Sequence, residues 1–138
     1  MAFRLCRLFL SVSFTVTVLL ALSAAVTAIS AEGWRTPSPG DPERAQIMDA
    51  LRTELAQFHP HARQMVFVVR ELCISSTSGW LSADPRSADG KNSYETVNAT
   101  LKRHAQRWVV EEIACGEEDC PPGTDAEALR RRVGPKCP

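Results

Sequence analysis

YETVNATLKRHAQRWVVEEIAC, residues 94–115, is the stretch of sequence from which the fold follows most directly. Side chains over 94–101 follow a period of two, which predicts a half-buried strand with one face made of Glu95, Val97, Ala99 and Leu101. Residues 103–106 then turn the chain into a second strand of similar length, 107–115. The stretch therefore predicts an antiparallel hairpin.

Further strands are predicted on the N-terminal side of this hairpin. Residues 65–75, MVFVVRELCIS, are rich in β-branched and aromatic side chains and predict the clearest strand of the chain. Residues 76–79 read as a turn, 80–83 as a short second strand, and 84–92 as a polar loop. The sheet is thus expected to contain three or four antiparallel strands.

A helix is predicted on each side of these strands. Asp41 is placed to cap the first helix, with Pro42 at its first position, and the helix ends before Pro60. Its apolar stripe is Met48, Leu51, Leu55 and Phe58. Near the C-terminus, Thr124 and Glu127 form a capping-box pattern that predicts a short helix ending at Gly134.

The element order indicates an α+β domain, in which the N-terminal helix packs on the antiparallel sheet and a short C-terminal helix follows. With 138 residues, the chain is long enough for one domain, which we assign to residues 41–138. Residues 31–40 contain two prolines and two glycines and are predicted to be a flexible leader.

Residues 1–30 have the three-part pattern of a secretory signal peptide. Arg4 and Arg7 precede an uncharged run, 8–22, and small residues follow near 26–30. The other interpretation is a retained membrane anchor over 8–29, which the many Ser, Thr and Ala residues disfavour. We therefore expect a periplasmic or secreted protein that has no membrane association after signal cleavage.

The cysteines indicate a domain cross-linked by disulfides. Once Cys6 leaves with the signal, an even number remains for an oxidising compartment: Cys73, Cys115, Cys120 and Cys137. The favoured pairing is Cys73–Cys115 with Cys120–Cys137, and the next is Cys115–Cys120 with Cys73–Cys137. A zinc site is disfavoured because no paired C-x-x-C motifs occur.

The charge pattern argues against nucleic acid as a partner. Signal removal leaves fourteen basic and sixteen acidic groups, a net charge of −2, with no strongly basic segment. The densest charge feature, here named the acidic rim, comprises Glu111, Glu112, Glu117, Glu118 and Asp119. It lacks the spacing of a calcium loop and is predicted to be solvated, or to steer a cationic protein partner.

Residues suited to catalysis are present but do not form a recognised motif. His59, His61 and His104 are candidate bases or metal ligands, and Glu95 with Glu111 is a candidate carboxylate pair. No G-x-S-x-G motif occurs, so no catalytic residue, metal or cofactor is assigned.

The two tryptophans of the strands are candidate binding residues. Trp80 and Trp108 are predicted either to pack in the core or to form a platform for a ligand, and the two could line one pocket. Aromatic side chains of this size more often serve the core, so a binding role for them is the second interpretation.

Two resemblances accompany these observations. The element order resembles that of cystatin-like and NTF2-like domains, in which an early helix crosses an antiparallel sheet. The stretches RAQIMDALR (44–52), FVVRELCIS (67–75) and RWVVEEIACGEEDC (107–120) resemble a group of small uncharacterised exported bacterial proteins. This second resemblance implies a periplasmic setting and supplies no catalytic residue.

The sequence thus favours a non-enzymatic exported binding protein, such as an inhibitor or an immunity-type protector of a secreted partner. Its contact surface would be the free sheet face or the acidic rim. One alternative is a small NTF2-like enzyme or ligand carrier with a pocket between helix and sheet. Another is a structural protein of the cell envelope.

Overall fold

Four strands and three helical segments follow one another in the computed structural model, which describes residues 33–134. They are α1 (Pro42–Phe58), the 3₁₀ helix η1 (Pro60–Gln64), β1 (Val66–Ile74), β2 (Ser78–Arg86), β3 (Val97–His104), β4 (Arg107–Ile113) and α2 (Ala126–Val133). The strands form one antiparallel sheet in the order β1-β2-β3-β4. The predicted α+β class and a four-stranded antiparallel sheet are confirmed.

Helix α1 begins and ends at the residues that its sequence predicts. The carboxylate of Asp41 accepts a hydrogen bond from the backbone N–H of Glu43 over 2.8 Å, and Pro42 follows in the first turn. The helix ends at Phe58 because Pro60 cannot continue it. Phe58 itself, which the apolar stripe included, is 70% exposed and does not belong to the core.

The hairpin of β3 and β4 is tighter than predicted. His104 pairs with Arg107, so the turn contains only Ala105 and Gln106. Strand β3 starts later than expected, at Val97, because the backbone N–H of Tyr94 is bonded instead to the carbonyl oxygen of Pro85 over 2.9 Å. Strand β3 thus lies three residues further along the chain than predicted, whereas β4 begins at Arg107 as predicted.

Strand β2 is longer than the predicted 80–83 and includes a proline that the sequence placed in a loop. Residues up to Arg86 pair with β1, whereas pairing with β3 ends at Ala83. Beyond Ala83, β2 has a strand partner on one side only, where a residue without an N–H is tolerated. Pro85 therefore lies opposite Phe67 without breaking the strand.

Apolar side chains gather in two clusters. The first contains helix and strand residues together: its largest fully buried members are Ile47 and Leu51 of α1 and Leu72, Ile74, Leu81 and Leu101 of the sheet. The second contains Cys73, Trp80 and Leu129, with Trp34 packed against them. Cys73 and Leu72 are neighbours in β1, so their side chains point to opposite faces of the sheet.

Residues 33–40, expected to be a flexible leader, lie against the sheet. Arg35 and Ile74 exchange two backbone hydrogen bonds of 2.9 Å, which places a one-residue bridge along the edge of β1. Pro37 is buried, and Trp34 contacts the second cluster. This segment therefore covers one end of the β1 edge.

Helix α2 is capped one residue later than the capping box predicts. The carboxylate of Asp125 accepts a hydrogen bond from the backbone N–H of Ala128 over 2.9 Å. The hydroxyl of Thr124 donates instead to the carbonyl oxygen of Pro121 over 2.7 Å. The cap is Asp125, and the box predicted for Thr124 is wrong because the helix begins one residue later, at Ala126, where the carboxylate of Asp125 takes the free N–H of the first turn.

One disulfide corrects the favoured pairing. Cys115 is bonded to Cys120, with a Cα–Cα distance of 5.7 Å. Both Cys73–Cys115 and Cys120–Cys137 are therefore wrong, and the first half of the second choice is confirmed. Cys73 is also disulfide-bonded, and the pairing Cys73–Cys137 lies outside the described residues, as does the predicted signal 1–30. Within 33–134, no helix has the length and hydropathy needed to cross a membrane.

Candidate functional site

A cavity of about 760 Å³ opens where α1 and η1 meet the ends of three strands. We name it the His–Glu cavity after the side chains described below. Ligand pockets in proteins typically measure about 300–1,000 Å³, so its size suits a small molecule. Its apolar lining includes Leu55, Ala62, Met65, Pro85, Val97 and Ile113.

Two imidazoles enter the cavity from the helical side. His59 follows α1 and donates its backbone N–H to the carbonyl oxygen of Leu55 over 2.8 Å. Pro60 then starts η1, and the N–H of Ala62 bonds to the carbonyl oxygen of His59 over 2.8 Å. These bonds fix the backbone on both sides of His59, and both His59 and His61, which are exposed, line the helical side of the cavity.

Tyr94 and Glu95 enter the cavity from the chain segment before β3. Tyr94 is 47% exposed, although its ring is mostly apolar, and its backbone N–H is held by Pro85. Glu95 packs against Gly116: a Cβ at Gly116 would lie 2.9 Å from Oε1 of Glu95, closer than real contacts allow. The glycine therefore leaves room for the exposed carboxylate of Glu95 to lie beside it.

Asp84 supports the same segment from outside the lining. Both of its carboxylate oxygens accept from Nε of Arg70 over 2.7 Å, and Oδ1 also accepts from the hydroxyl of Thr96, a lining residue, over 2.7 Å. The hydrogen bonds from Arg70 and then from Thr96 hold the pKa of Asp84 below its ordinary value. Thr96 is thereby fixed as a donor to Asp84 at the cavity wall.

The disulfide bounds the cavity on the side of β4. Cys115 lines it, and its backbone N–H bonds to the carbonyl oxygen of Thr124 over 2.9 Å. The Cys115–Cys120 bond closes a short loop that carries three acids of the rim, Glu117, Glu118 and Asp119. All three side chains are exposed.

The acidic rim does not form one cluster. Glu112 contacts Arg132 of α2 over 2.9 Å, whereas Glu111 is exposed beside the irregularity in the pairing of β3 and β4. Among residues 33–134, no three His, Cys, Asp or Glu side chains are grouped so that they could hold a metal ion. In the described structure, the rim thus consists of four exposed carboxylates and the ion-paired Glu112.

Trp80 and Trp108 do not share a pocket. Both are buried, at 3% and 4% exposure, and they belong to the two different apolar clusters. Each indole N–H donates to a glutamate: Trp80 to Glu71 over 3.0 Å and Trp108 to Glu43 over 2.7 Å. Neither tryptophan lines the His–Glu cavity.

The cavity brings together candidates that the sequence considered separately. His59, His61 and Glu95 line it, whereas His104 lies exposed at the end of β3 and Glu111 is not in the lining. Of the predicted carboxylate pair, Glu95 lines the cavity and Glu111 does not.

Several lining residues were missed by sequence reasoning. Tyr94 and Pro85 had been placed in a strand and a loop, and Met65 in the clearest strand. One sequence signal could have indicated this part of the lining. The aromatic Tyr94 stands next to a glutamate, Glu95, shortly before β3 begins.

Comparison with protein-family models, with curated proteins and with solved structures finds no match to this chain, so its function has to be argued from the cavity and the surface themselves.

Proposed function

We propose that this protein is a non-enzymatic exported binding protein, periplasmic or secreted, that holds an apolar ligand in the His–Glu cavity. The observation that carries the proposal is the cavity itself, with about 760 Å³ of space and a mostly apolar lining. In this proposal α1 covers one face of the sheet, and the space left at its C-terminal end is the site. The cavity favours the ligand-carrier alternative over docking by the acidic rim.

The polar lining favours one kind of ligand head group. The only formally charged carboxylate in the lining is Glu95, and neither Lys nor Arg lines the cavity. A protonated amine would satisfy the carboxylate of Glu95 and could also lie against the ring of Tyr94. A carboxylate ligand would meet like charge there. We therefore expect an apolar molecule that carries an amine.

The lining does not offer an activated Ser, Cys or Thr nucleophile. The sulfur of Cys115 is held in a disulfide, and the hydroxyl of Thr96 is committed to Asp84. A nucleophilic mechanism needs an activated Ser, Cys or Thr beside a base. The arrangement of His59, His61 and Glu95 around apolar walls supports recognition of a ligand.

The test compares three probes with the same alkyl chain: dodecylamine, dodecanol and dodecanoate. Isothermal titration of the signal-free protein, below the micelle concentration of each probe, should give the tightest binding for the amine, by about three- to tenfold over the alcohol. Glu95→Gln should remove this preference and retain alcohol binding. Glu111→Gln, which removes an equal charge outside the cavity, should leave the preference unchanged.

Two results would contradict the proposal. The first is failure of all three probes to bind to a protein shown by circular dichroism to be folded. The second is an amine preference that Glu95→Gln and Glu111→Gln reduce equally, since this would indicate attraction by overall charge. Binding in the cavity requires that only the lining residue matters.

Docking of a protein partner at the acidic rim is the second candidate. It is favoured by the exposure of Glu117, Glu118 and Asp119 on a loop fixed by the Cys115–Cys120 disulfide. Electrostatic docking would depend on ionic strength. Binding of lysozyme, used as a small basic probe, should then weaken with salt and with the triple change of these acids to amides. Salt-independent binding, or none, would count against it.

A further inference from the structure

A second recess, separate from the His–Glu cavity, runs between α1 and β4 and measures about 730 Å³. Its helix wall is formed by Gln46, Asp49, Ala50, Thr53 and Glu54, and its strand wall by residues 106–110. The helix positions are spaced by three and four, so they form one continuous stripe. No residue lines both this recess, here named the α1–β4 groove, and the His–Glu cavity.

The strand wall of the groove is an edge of the sheet. β4 has β3 as its only strand neighbour among the described residues. Because the turn contains two residues, His104 and Arg107 form the hydrogen-bonded pair next to it, and Lys102 with Val109 is the next such pair. Trp108 and Val110 therefore direct their backbone N–H and C=O groups away from β3, toward the open side.

The groove places these open backbone groups beside a helix that is polar and acidic. The helix wall carries two carboxylates, Asp49 and Glu54, and no lysine or arginine. Asp49 is bonded to Arg52 over 2.8 Å, which offsets its charge, whereas Glu54 accepts only the neutral amide of Gln57 over 2.7 Å. Glu54 on the helix wall and the exposed Arg107 on the strand wall are thus the charges that a bound segment would meet, and Glu54 is the one that selects a cation.

We propose that the α1–β4 groove binds an extended segment of another protein, which adds to the sheet as a fifth strand beside β4 and presents a lysine or arginine to Glu54. Such strand addition uses backbone hydrogen bonds for affinity and side-chain contacts for selection. The small side chain of Ala50 leaves room opposite the strand. This inference goes beyond the ligand-binding function proposed above and does not depend on it.

The probes are two fluorescein-labelled peptides of matched length and β propensity, KVTVTVK and EVTVTVE, measured by fluorescence anisotropy against the signal-free protein. The lysine peptide should bind more tightly, and Glu54→Lys should weaken it by about two- to fivefold or more. Glu118→Lys makes the same charge change on the disulfide loop and should have a smaller effect. Equal effects of the two variants would overturn the proposal that the peptide's lysine lies beside Glu54.

Backbone pairing is tested on the peptide, so that folding of the protein is not disturbed. Two versions of the lysine peptide carry N-methyl groups on alternate residues, one version for each edge of the peptide strand. One version should lose about tenfold or more in affinity because its pairing N–H groups are blocked, and the other should retain binding. Equal affinity of the two versions would overturn strand addition.

A second copy of this chain is the competing occupant of the edge. Light scattering of the protein alone, over a range of concentrations, should give the mass of a monomer. A concentration-dependent dimer that the lysine peptide dissociates would overturn the proposal of a foreign segment. Failure of both peptides to bind would likewise overturn it, while leaving the result with dodecylamine unaffected.

Discussion

The indole nitrogen of Trp108 donates a hydrogen bond to Oε1 of Glu43 over 2.7 Å, joining residues 65 positions apart. Arg103 contacts the same oxygen over 3.0 Å and lies over the Trp108 ring at 5.7 Å. Trp80, Glu71 and Arg130 repeat this arrangement on the other face of the sheet. Each face therefore has one buried tryptophan held by a glutamate and an arginine.

Glu43→Ala should lower the free energy of unfolding by about 1–3 kcal/mol, because it leaves the buried indole N–H of Trp108 without its acceptor. It also removes the contacts of Glu43 with Arg35 and Arg103. Urea denaturation followed by tryptophan fluorescence measures this change. Asp49→Ala, at a side chain that is 75% exposed, is the control and should change stability by less than about 0.5 kcal/mol. Equal losses would contradict the role of Glu43.

Ala105→Gly should stabilise the protein. Ala105 occupies the first position of the β3–β4 turn with a φ of 54°, a region that side chains with a Cβ seldom adopt and that hairpin turns usually fill with glycine. The strain energy that is relieved should exceed the free-energy cost of the extra conformational entropy that glycine gives the unfolded chain. The free energy of unfolding should therefore rise by about 0.5–1 kcal/mol. Gln106→Gly, next to it, should not stabilise. A loss in Ala105→Gly would show that the turn has another conformation.

Non-reducing peptide mapping should recover Cys115 joined to Cys120. Replacing both by serine should cost about 2 kcal/mol, the amount expected for a short closed loop. Thermal unfolding of the double variant, compared with the oxidised protein, gives this number. A Cys73–Cys115 peptide would contradict the arrangement described above, because Cys115 would then be bonded to β1.

Acid should lower the free energy of unfolding, in part because Asp84 becomes protonated. Its pKa is lowered in the folded state by Arg70 and Thr96, so the unfolded chain binds the proton more readily. The stabilisation from this group is complete above the ordinary value of 3.8 and is lost as the pH falls through the lower folded pKa. Asp84→Asn should make the acid side of the stability curve shallower. Asp119→Asn controls for loss of one carboxylate, and identical curves for the two variants would contradict the assignment.

The elements that the sequence predicts well are those whose signals are local. The Asp41–Pro42 start of α1, the β-branched run of β1 and the alternation that leads into β3 depend on neighbours in the chain. The length of β2 could not be predicted in this way. From the sequence, Pro85 is predicted to lie in a loop. Only the structure shows that the pairing of β2 with β3 ends at Ala83, so that a proline is tolerated two residues later.

The candidate site was less accessible to sequence reasoning than the fold. The disulfide pairing depends on which cysteine lies closest in space, and Cys115 and Cys120 meet because the chain turns back immediately after β4. His59 and Glu95 are 36 positions apart, and their common cavity follows from the way α1 ends above the start of β3. Neither relationship leaves a periodic pattern.

The pairing of Arg35 with Ile74 makes the two edges of the sheet unequal. The edge of β1 is covered at one end by this bridge and is interrupted by the irregularity between Val69 and Glu71, whereas β4 is open from Arg107 onward. On the β4 side, an incoming strand finds residues 107–110 open, up to the irregularity at Glu111. Complexes formed there should stop at one-to-one stoichiometry, and stacking of sheets into fibres, which needs two receptive edges, is discouraged by the bridge that Arg35 forms at the other edge.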